Sequence, residues 1–279
     1  MQKQKNIILN RSNNKPLVLD IFYDQSPHKL PVVIFCHGYK GFKDWGAWDL
    51  VAQAFADHGF FFLKFNFSHN GGTVEDPVDF PDLDAFGNNN YSKELEDLTA
   101  IISYCRDHHD TIADLSRINL IGHSRGGGIA TLFSNENATV KKLISWAGVS
   151  DFAIRFPKEE AFEEWKNKGI FYVLNGRTKQ KMPHYFQFWE DYAKNPERFH
   201  IENACKQISI PHLIIHGTND TSVPLWEAEH LHKWNPESTL QLIEDANHVF
   251  GASHPWESDY IPKHLEEVVT KTISFCKEN

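Results

Sequence analysis

The sequence predicts an α/β protein built on a mainly parallel sheet with helices on both faces. Strand-like and helix-like segments alternate along most of the 279 residues, which is the pattern of such sheets. Several strand-like segments are apolar almost throughout, as expected of central parallel strands that are buried on both faces. The chain is longer than an average domain, but a single α/β sheet commonly fills this length.

Seven segments are predicted to be strands. The first, residues 16–23, alternates in polarity, so we expect it at an antiparallel edge of the sheet. The segment 60–67 is apolar except for Lys64 and Asn66. The other predicted strands are residues 30–36, 118–122, 142–147, 212–216 and 239–243.

Apolar residues at three- and four-residue steps predict the helices between these strands. One helix covers residues 48–55 and ends before Gly59, and a second begins near Ser92 and reaches Cys105. Further helices are predicted over residues 127–133 and from Pro224 onward. The last helix is the clearest, with an apolar stripe formed by Leu265, Val268, Val269, Thr272, Ile273 and Cys276.

Two stretches interrupt the alternation. Residues 68–91 form a long acidic connection, and loops of that length usually have a function; the acidic side chains would disfavour an anionic substrate if they border a site. Residues 151–207 contain a helix-like part, a strand-like part and the turn pair Asn175-Gly176, which indicates a hairpin. We predict that 151–207 is a cap, with a helix and a hairpin, inserted into a core formed by residues 1–150 and 208–279.

Composition narrows the class of protein. Lys and Arg total 28 against 37 Asp and Glu, a net charge of −9, so a nucleic-acid partner is not expected. The longest apolar stretches are strand-sized, which argues against a membrane helix, and residues 7–9 are too short a stretch for a signal-peptide core. Four widely spaced cysteines indicate reduced thiols and a cytoplasmic location. The composition does not exclude a homo-oligomer.

The motif Gly122-His123-Ser124-Arg125-Gly126 carries the strongest indication of chemistry. It follows an apolar strand and precedes a helix-like segment. A serine there lies on a sharp strand-to-helix turn, where glycines two positions away on either side relieve crowding and leave the hydroxyl accessible. The motif alone is moderately specific, and the strand before it and the helix-like segment after it strengthen the indication of a nucleophile.

A serine hydroxyl needs a base to remove its proton, and the base needs an acid that orients it. Asp220 follows the strand 212–216, and His248 follows the strand 239–243. Ser124, Asp220 and His248 therefore all lie at carboxyl ends of strands, where open α/β sheets place their ligands.

With these motifs the chain resembles the α/β-hydrolases, in the style of the serine esterase, feruloyl-esterase-like and acyl-peptidase branch. The resemblance covers residues 17–276 and implies an eight-stranded, mainly parallel sheet. It implies Ser124 as nucleophile, Asp220 as acid and His248 as general base. In hydrolases of this pattern, two backbone amides form the oxyanion hole. One follows the His37-Gly38 pair and the other follows the nucleophile, which here implies the amides of Tyr39 and Arg125.

Other residues compete for some of these roles. Asp151 is an alternative acid, since some members of the fold place the carboxylate after that strand, whereas Asp245 is expected to shape its turn. His123 and His216 are expected to fix loops beside the site. The Arg125 side chain is open between pairing with nearby acids and steering anionic substrates. No metal or other cofactor is expected, because the histidines lack metal-ligand spacing.

The implied reaction is hydrolysis of small carboxylic esters through an acyl-enzyme. Aromatic and polar residues of the loops and cap are candidates for substrate contacts; they are Phe42, Trp45, Gln187, Trp189 and Phe250. The same residues would serve a thioesterase, an acyltransferase or a small-peptide acyl hydrolase, and fold alone does not choose among them. A binding protein that has lost catalysis is the alternative from a different class.

Overall fold

The computed structural model describes residues 1–12 and 14–278, and its centre is one eight-stranded sheet. Its strands are β1 (Gln2–Arg11), β2 (Asn14–Tyr23), β3 (Leu30–Cys36), β4 (Phe61–Asn66), β5 (Ala113–His123), β6 (Val140–Trp146), β9 (His212–Gly217) and β10 (Thr239–Ile243). The strand order is β1-β2-β4-β3-β5-β6-β9-β10. From β4 to β10 all neighbours are parallel, whereas β1–β2 and β2–β4 are antiparallel. The predicted fold class and the antiparallel edge are confirmed.

Sequence analysis missed β1. This strand lies at the sheet edge and pairs only with β2, and its residues are exposed or half-buried throughout. A strand with no buried face needs no apolar alternation, so the pattern on which strand prediction depends is absent. The seven predicted strands all form, with ends within a few residues of prediction except at β5, which begins five residues earlier.

Helices cover both faces of the sheet. They are α1 (Trp48–Asp57), α2 (Leu83–Gly87), α3 (Tyr91–His109), α4 (Arg125–Glu136), α5 (Glu159–Lys168), α6 (Gln187–Lys194), α7 (Ile201–Gln207), α8 (Leu225–Trp234) and α9 (Lys263–Lys277). Buried residues of α1 and α9 pack on one face of the sheet. Buried residues of α3, α4, α7 and α8 pack on the other face. No helix of the described residues is long and apolar enough to cross a membrane.

The segment 151–207 contains α5, α6, α7 and a separate two-stranded sheet. Strands β7 (Ile170–Leu174) and β8 (Lys181–Tyr185) pair antiparallel, so the hairpin forms where Asn175-Gly176 indicates it. Its connection is longer than a two-residue turn, because the amide of Asn175 donates to the carbonyl of Gln180. The Asn175 side chain instead accepts from the amides of Arg177 and Thr178 inside the loop.

The long connection 68–91 is also structured. It contains α2, whose first turn is capped by Asp82 through a bond from the amide of Ala85. Three of its acidic side chains have partners that lie elsewhere in the chain: Asp82 pairs with Lys15, Asp79 with Arg177, and Asp84 accepts from the Tyr185 hydroxyl. Acidic character along this connection therefore serves mainly to fasten it to its neighbours.

Candidate active site

Ser124 lies between β5 and α4 in a conformation that few residues adopt. Its φ is 57° and its ψ is −122°, and a non-glycine residue holds such angles only where its surroundings enforce them. The amide of Ser124 donates to the carbonyl of Trp146 in β6 at 2.9 Å. Its carbonyl accepts from the amides of Gly127 and Val149. These bonds hold the backbone of the serine on both sides.

The flanking glycines are required by close backbone approach. A Cβ on Gly122 would lie 2.2 Å from the carbonyl oxygen of Gly126, and a Cβ on Gly126 would lie 2.5 Å from that of Cys36. Because real Cβ atoms do not approach carbonyl oxygens so closely, only glycine fits at either position. The spacing of the motif thus follows from contact between the turn and the end of β3.

The structure brings Ser124, His248 and Asp220 together. His248 Nε2 is 3.0 Å from Ser124 Oγ, and His248 Nδ1 is 2.7 Å from Asp220 Oδ2. Asp220 Oδ1 accepts from the amides of Ser222 and Val223. Burial alone would raise the pKa of Asp220, but the hydrogen bonds it accepts outweigh burial and lower the pKa. The carboxylate is therefore ionised and fixed in orientation beside the imidazole.

Neighbouring side chains hold the loops that carry these residues. His123 Nε2 donates to the carbonyl of His248 at 2.9 Å, and His216 Nε2 donates to the carbonyl of Val223 at 2.8 Å. Burial lowers the pKa of His123 to about 3, so this ring is neutral. Asp245 accepts from the side chain of Asn219 and so ties the two loops together. Asp151 accepts from the amide of Ala153, whereas the bond from His248 goes to Asp220.

The loop after β3 lies against Ser124. A Cβ on Gly38 would lie 2.9 Å from Ser124 Cβ. His37 Nδ1 donates to the Gly38 carbonyl at 2.9 Å, and the Gly41 amide donates to the same oxygen at 3.0 Å. Since a trans peptide points its C=O and N–H in opposite directions, these bonds direct the Tyr39 amide away from them. The sequence indicated the His37-Gly38 pair, but the hydrogen bond from the His37 imidazole to the Gly38 carbonyl is seen only in the structure.

The two amides expected to face an oxyanion are not used by the fold. Neither the Tyr39 amide nor the Arg125 amide donates to a protein acceptor within residues 1–12 and 14–278. Arg125 is the first residue of α4, where helix geometry provides no acceptor for the amide. Both N–H groups are therefore available to a ligand.

The Arg125 side chain pairs with Glu94 of α3. Its Nε donates to Glu94 Oε2 at 3.2 Å, and its Nη2 lies 3.0 Å from Glu94 Oε1. The guanidinium also lies over the rings of Tyr91 and Phe188, at 4.8 Å and 4.9 Å from their centroids. Burial raises the pKa of Glu94, although the positive charge of Arg125 opposes this shift. Sequence reasoning left the Arg125 side chain open between pairing with nearby acids and steering anionic substrates, and it did not identify Glu94.

A small pocket opens beside these groups. It has a volume of about 20 Å³, which is room for about one water-sized group. It lies between the loop after β3, the start of α4 and the segment 151–207. Its lining includes Tyr39, Lys40, Glu94, Arg125, His184 and Phe188. Of these, sequence analysis singled out only the amides of Tyr39 and Arg125 as site groups, because nothing in the pattern of the 151–207 segment shows which of its side chains turn toward the strand ends.

The five residues predicted to contact substrate do not line this pocket. Phe42 and Phe250 are fully buried among other side chains, so they belong to the core. Trp189 packs on Phe156 and Phe162 within the 151–207 segment.

Gln187 and Trp45 also have other partners. Gln187 accepts from the Asn90 side chain and donates to the carbonyl of Asn89, which fastens α6 to the start of α3. Trp45 stacks against His254 and packs on Trp48. Their positions in loops and in the segment 151–207 suggested these five residues as substrate contacts. In the structure, each of the five side chains instead packs on or hydrogen-bonds to another part of the protein.

One group of carboxylates has metal-like spacing. Oxygen atoms of Asp20, Asp44 and Asp49 lie within 4.8 Å of one another. However, the ammonium of Lys64 lies within 2.9 Å of all three carboxylates, and Lys43 pairs with Asp20 and Asp44. Both lysine side chains are fully buried. Burial raises the pKa of Asp44, but the two lysine charges lower it by more. The lysines supply the positive charge that a metal would otherwise bring.

Fold and site together define a serine hydrolase of the α/β-hydrolase superfamily, as the resemblance implied. The model of the prolyl oligopeptidase family, peptidase S9, matches residues 47–261. The chain belongs to this family.

Individual relatives agree with this class. The chain is 24% identical over 242 residues to a bifunctional esterase/perhydrolase from Acinetobacter calcoaceticus, covering 74% of this chain and 80% of that protein. Est1E from Butyrivibrio proteoclasticus, solved with ferulic acid bound, superposes with a TM-score of 0.74 at 19% identity, covering 96% and 97% of the two chains. An acylaminoacyl peptidase from Pyrococcus horikoshii superposes with a TM-score of 0.66 at 17% identity, covering 97% of this chain and 40% of that one.

Proposed function

We propose that the protein hydrolyses small carboxylic esters through a covalent acyl-enzyme on Ser124. The observation that carries this proposal is the continuous chain of contacts from Ser124 Oγ to His248 Nε2 at 3.0 Å and from His248 Nδ1 to Asp220 Oδ2 at 2.7 Å. Asp220 holds the proton on Nδ1, so Nε2 is left with its lone pair toward the hydroxyl.

In the first half of the reaction, Ser124 Oγ attacks the ester carbonyl carbon and its proton passes to His248 Nε2. The carbonyl oxygen becomes an oxyanion, which accepts hydrogen bonds from the amides of Tyr39 and Arg125. The intermediate then collapses: the bond from carbon to the alcohol oxygen breaks, and His248 gives its proton to the leaving alcohol. Ser124 is left as an ester of the acyl group.

In the second half, water takes the place of the alcohol. His248 removes a proton from the water as its oxygen attacks the acyl carbon, and a second oxyanion forms in the same position. Collapse breaks the bond to Ser124 Oγ, which regains its proton from His248, and the carboxylic acid leaves. No electron transfer or cofactor enters this sequence, because each step only moves protons and acyl groups.

Ser124→Ala tests the proposal. We expect turnover of 4-nitrophenyl acetate to fall by about 10⁴-fold or more, since the triad acts as a unit. Ser222→Ala is the matched control, because Ser222 is exposed beside Asp220 and only its amide bonds that carboxylate. An organophosphonate should label the parent on Ser124, as mapped by peptide mass. Ser124→Ala activity within a few-fold of the parent, or labelling elsewhere, would exclude Ser124 as nucleophile.

Cleavage of short peptide amides is the second candidate, because the family and the Pyrococcus horikoshii neighbour are named for peptidases. An amide leaves as an amine and needs stronger protonation by His248 than an alcohol does. A matched pair, an N-acetyl amino acid 4-nitroanilide and the corresponding 4-nitrophenyl ester, separates the two activities. We expect kcat/KM to favour the ester.

A further inference from the structure

The pocket beside the oxyanion amides carries excess positive charge in a molecule whose net charge is −9. Its charged side chains are Lys40, Arg125 and Glu94. Two are cations and one is an anion, so the balance is positive when Glu94 is ionised and more positive when it is protonated. His37 and His184 also line the pocket, but burial lowers their pKa values to about 4 and about 3, so both rings are neutral at pH 7.

Lys40 has no anionic partner. Within the described part of the chain, no carboxylate lies at ion-pair distance from its ammonium, which sits 5.1 Å from the centre of the Tyr39 ring. The side chain is half-buried, and burial lowers its pKa. A lysine that loses part of its hydration without gaining a counter-ion is destabilised relative to an exposed one, and an anion in the pocket would relieve this.

The backbone at Lys40 is unfavourable for a side chain. Its φ is 55°, in the turn closed by the bond from the Gly41 amide to the Gly38 carbonyl. Glycine adopts this conformation without strain. A lysine there is accommodated at a local conformational cost.

Arg125 also presents unused donors. Its Nε and Nη2 face Glu94, but Nη2 is fully buried and its geometry makes no hydrogen bond. Its third nitrogen, Nη1, donates to no protein atom among residues 1–12 and 14–278. The guanidinium lies over the rings of Tyr91 and Phe188 and Arg125 lines the pocket, so its Nη1 donors can serve an acceptor bound there.

The acidic connection 68–91 does not cancel this charge. Its residues at the pocket are the neutral side chains Asn70, Phe86 and Asn89, whereas Asp79 and Asp82 are paired with Arg177 and Lys15. The condition under which this connection was expected to disfavour an anionic substrate is therefore not met at this pocket, because none of its acidic side chains lines it.

We propose that this pocket binds a carboxylate at the end of a short acyl group, so that the preferred substrates are half-esters of small dicarboxylic acids. The inference rests on the proposed function. The pocket is lined by the oxyanion loop and Arg125 and by neither Ser124 nor His248, so we assign it to the far end of the acyl group and not to the reacting carbonyl or the leaving alcohol. Its volume of about 20 Å³ has room for one small end group such as a carboxylate.

The test compares two esters that differ only in the end group. Monomethyl succinate ends in a carboxylate, and methyl levulinate carries a neutral methyl ketone in the same place; acid release from each is followed in a pH-stat. For the parent, we expect kcat/KM to favour monomethyl succinate by about ten-fold or more, from a charge-assisted hydrogen bond. The ratio should fall as salt is added.

Lys40→Met removes the charge but keeps an unbranched side chain at the left-handed position. We expect it to lower the succinate-to-levulinate ratio by about ten-fold. Lys166→Met, an exposed lysine on α5, is the matched control and should leave the ratio unchanged. A parent ratio at or below one, or a ratio that Lys40→Met does not change, would overturn the inference.

Binding separates failure of this inference from failure of the proposed function. If no ester is turned over, the proposed function fails, but the pocket is still tested by calorimetric titration of Ser124→Ala with monomethyl succinate. Binding that weakens about ten-fold when Lys40→Met is added supports the subsite. Equal binding with and without Lys40→Met, or no binding at millimolar ligand, overturns it.

Discussion

Asp220→Asn is the substitution whose effect follows most directly from the geometry. Asp220 Oδ1 accepts two backbone N–H groups, from Ser222 at 2.8 Å and Val223 at 2.9 Å, and Oδ2 accepts from His248 Nδ1 at 2.7 Å. In the variant, the amide oxygen must take the place of Oδ1, because an NH2 group there would face two donors. The NH2 group is then placed against His248 Nδ1.

That arrangement reverses the tautomer of the imidazole. Nδ1 must give up its proton to accept from the amide, so Nε2 carries the proton and cannot take one from Ser124. A reversed tautomer in a triad lowers kcat by about 10⁴-fold, equivalent to about 5.5 kcal/mol in the activation free energy. We expect a loss of that size with little change in KM, because Asp220 does not reach the pocket.

The assay is steady-state hydrolysis of 4-nitrophenyl acetate, with circular dichroism to check that the variant is folded. Asp151→Asn is the matched control, because Asp151 follows the neighbouring strand β6 but bonds the amide of Ala153. It should retain activity within a few-fold. The reasoning is refuted if folded Asp220→Asn keeps more than a tenth of the parent activity, or if Asp151→Asn loses more than Asp220→Asn.

Two further predictions concern stability. Burial lowers the pKa of five imidazoles to about 3 or about 4; these belong to His37, His69, His123, His184 and His212. The unfolded chain binds protons at these groups below pH ~6.5, whereas the folded chain does not. The free energy of unfolding should therefore fall by about 1 kcal/mol per ring from pH 7 to 5.5. Urea titrations at the two pH values that show no fall would contradict this. Gly126→Ala places a Cβ 2.5 Å from the Cys36 carbonyl oxygen and should cost about 1–3 kcal/mol of stability along with most of the activity. Gly176→Ala, with open space around its Cβ, should be neutral, and equal melting temperatures for the two variants would reject the packing argument.

The proposed site combines rigid strand ends with a covering segment that contributes side chains to the pocket. The strand ends and the turn at Ser124 are held by backbone hydrogen bonds and close packing, as an oxyanion site requires. The segment 151–207 contributes Phe188 and His184 to the pocket. Variation in that segment would change which acyl group fits while leaving the proposed triad intact.

The sequence by itself determined the features that depend on the local spacing of apolar residues and glycines. Apolar strands and amphipathic helices follow from residue spacing, and the glycines around Ser124 mark a turn that only glycine permits. Because parallel strands bring their carboxyl ends to one edge, the positions of Ser124, Asp220 and His248 after three such strands were enough to predict that these residues meet. The edge strand β1 was not predicted, because an exposed strand carries no such pattern.

Only the tertiary structure decided which side chains around the strand ends face the pocket. Phe42 and Phe250 lie in the core and Gln187 bonds the start of α3, whereas Lys40, Glu94 and His184 line the pocket. A loop side chain has no periodic constraint, so its direction depends on which distant partner it reaches. The pairing of Arg125 with Glu94, and the absence of any such partner for Lys40 among the described residues, are set by contacts between segments far apart in the chain.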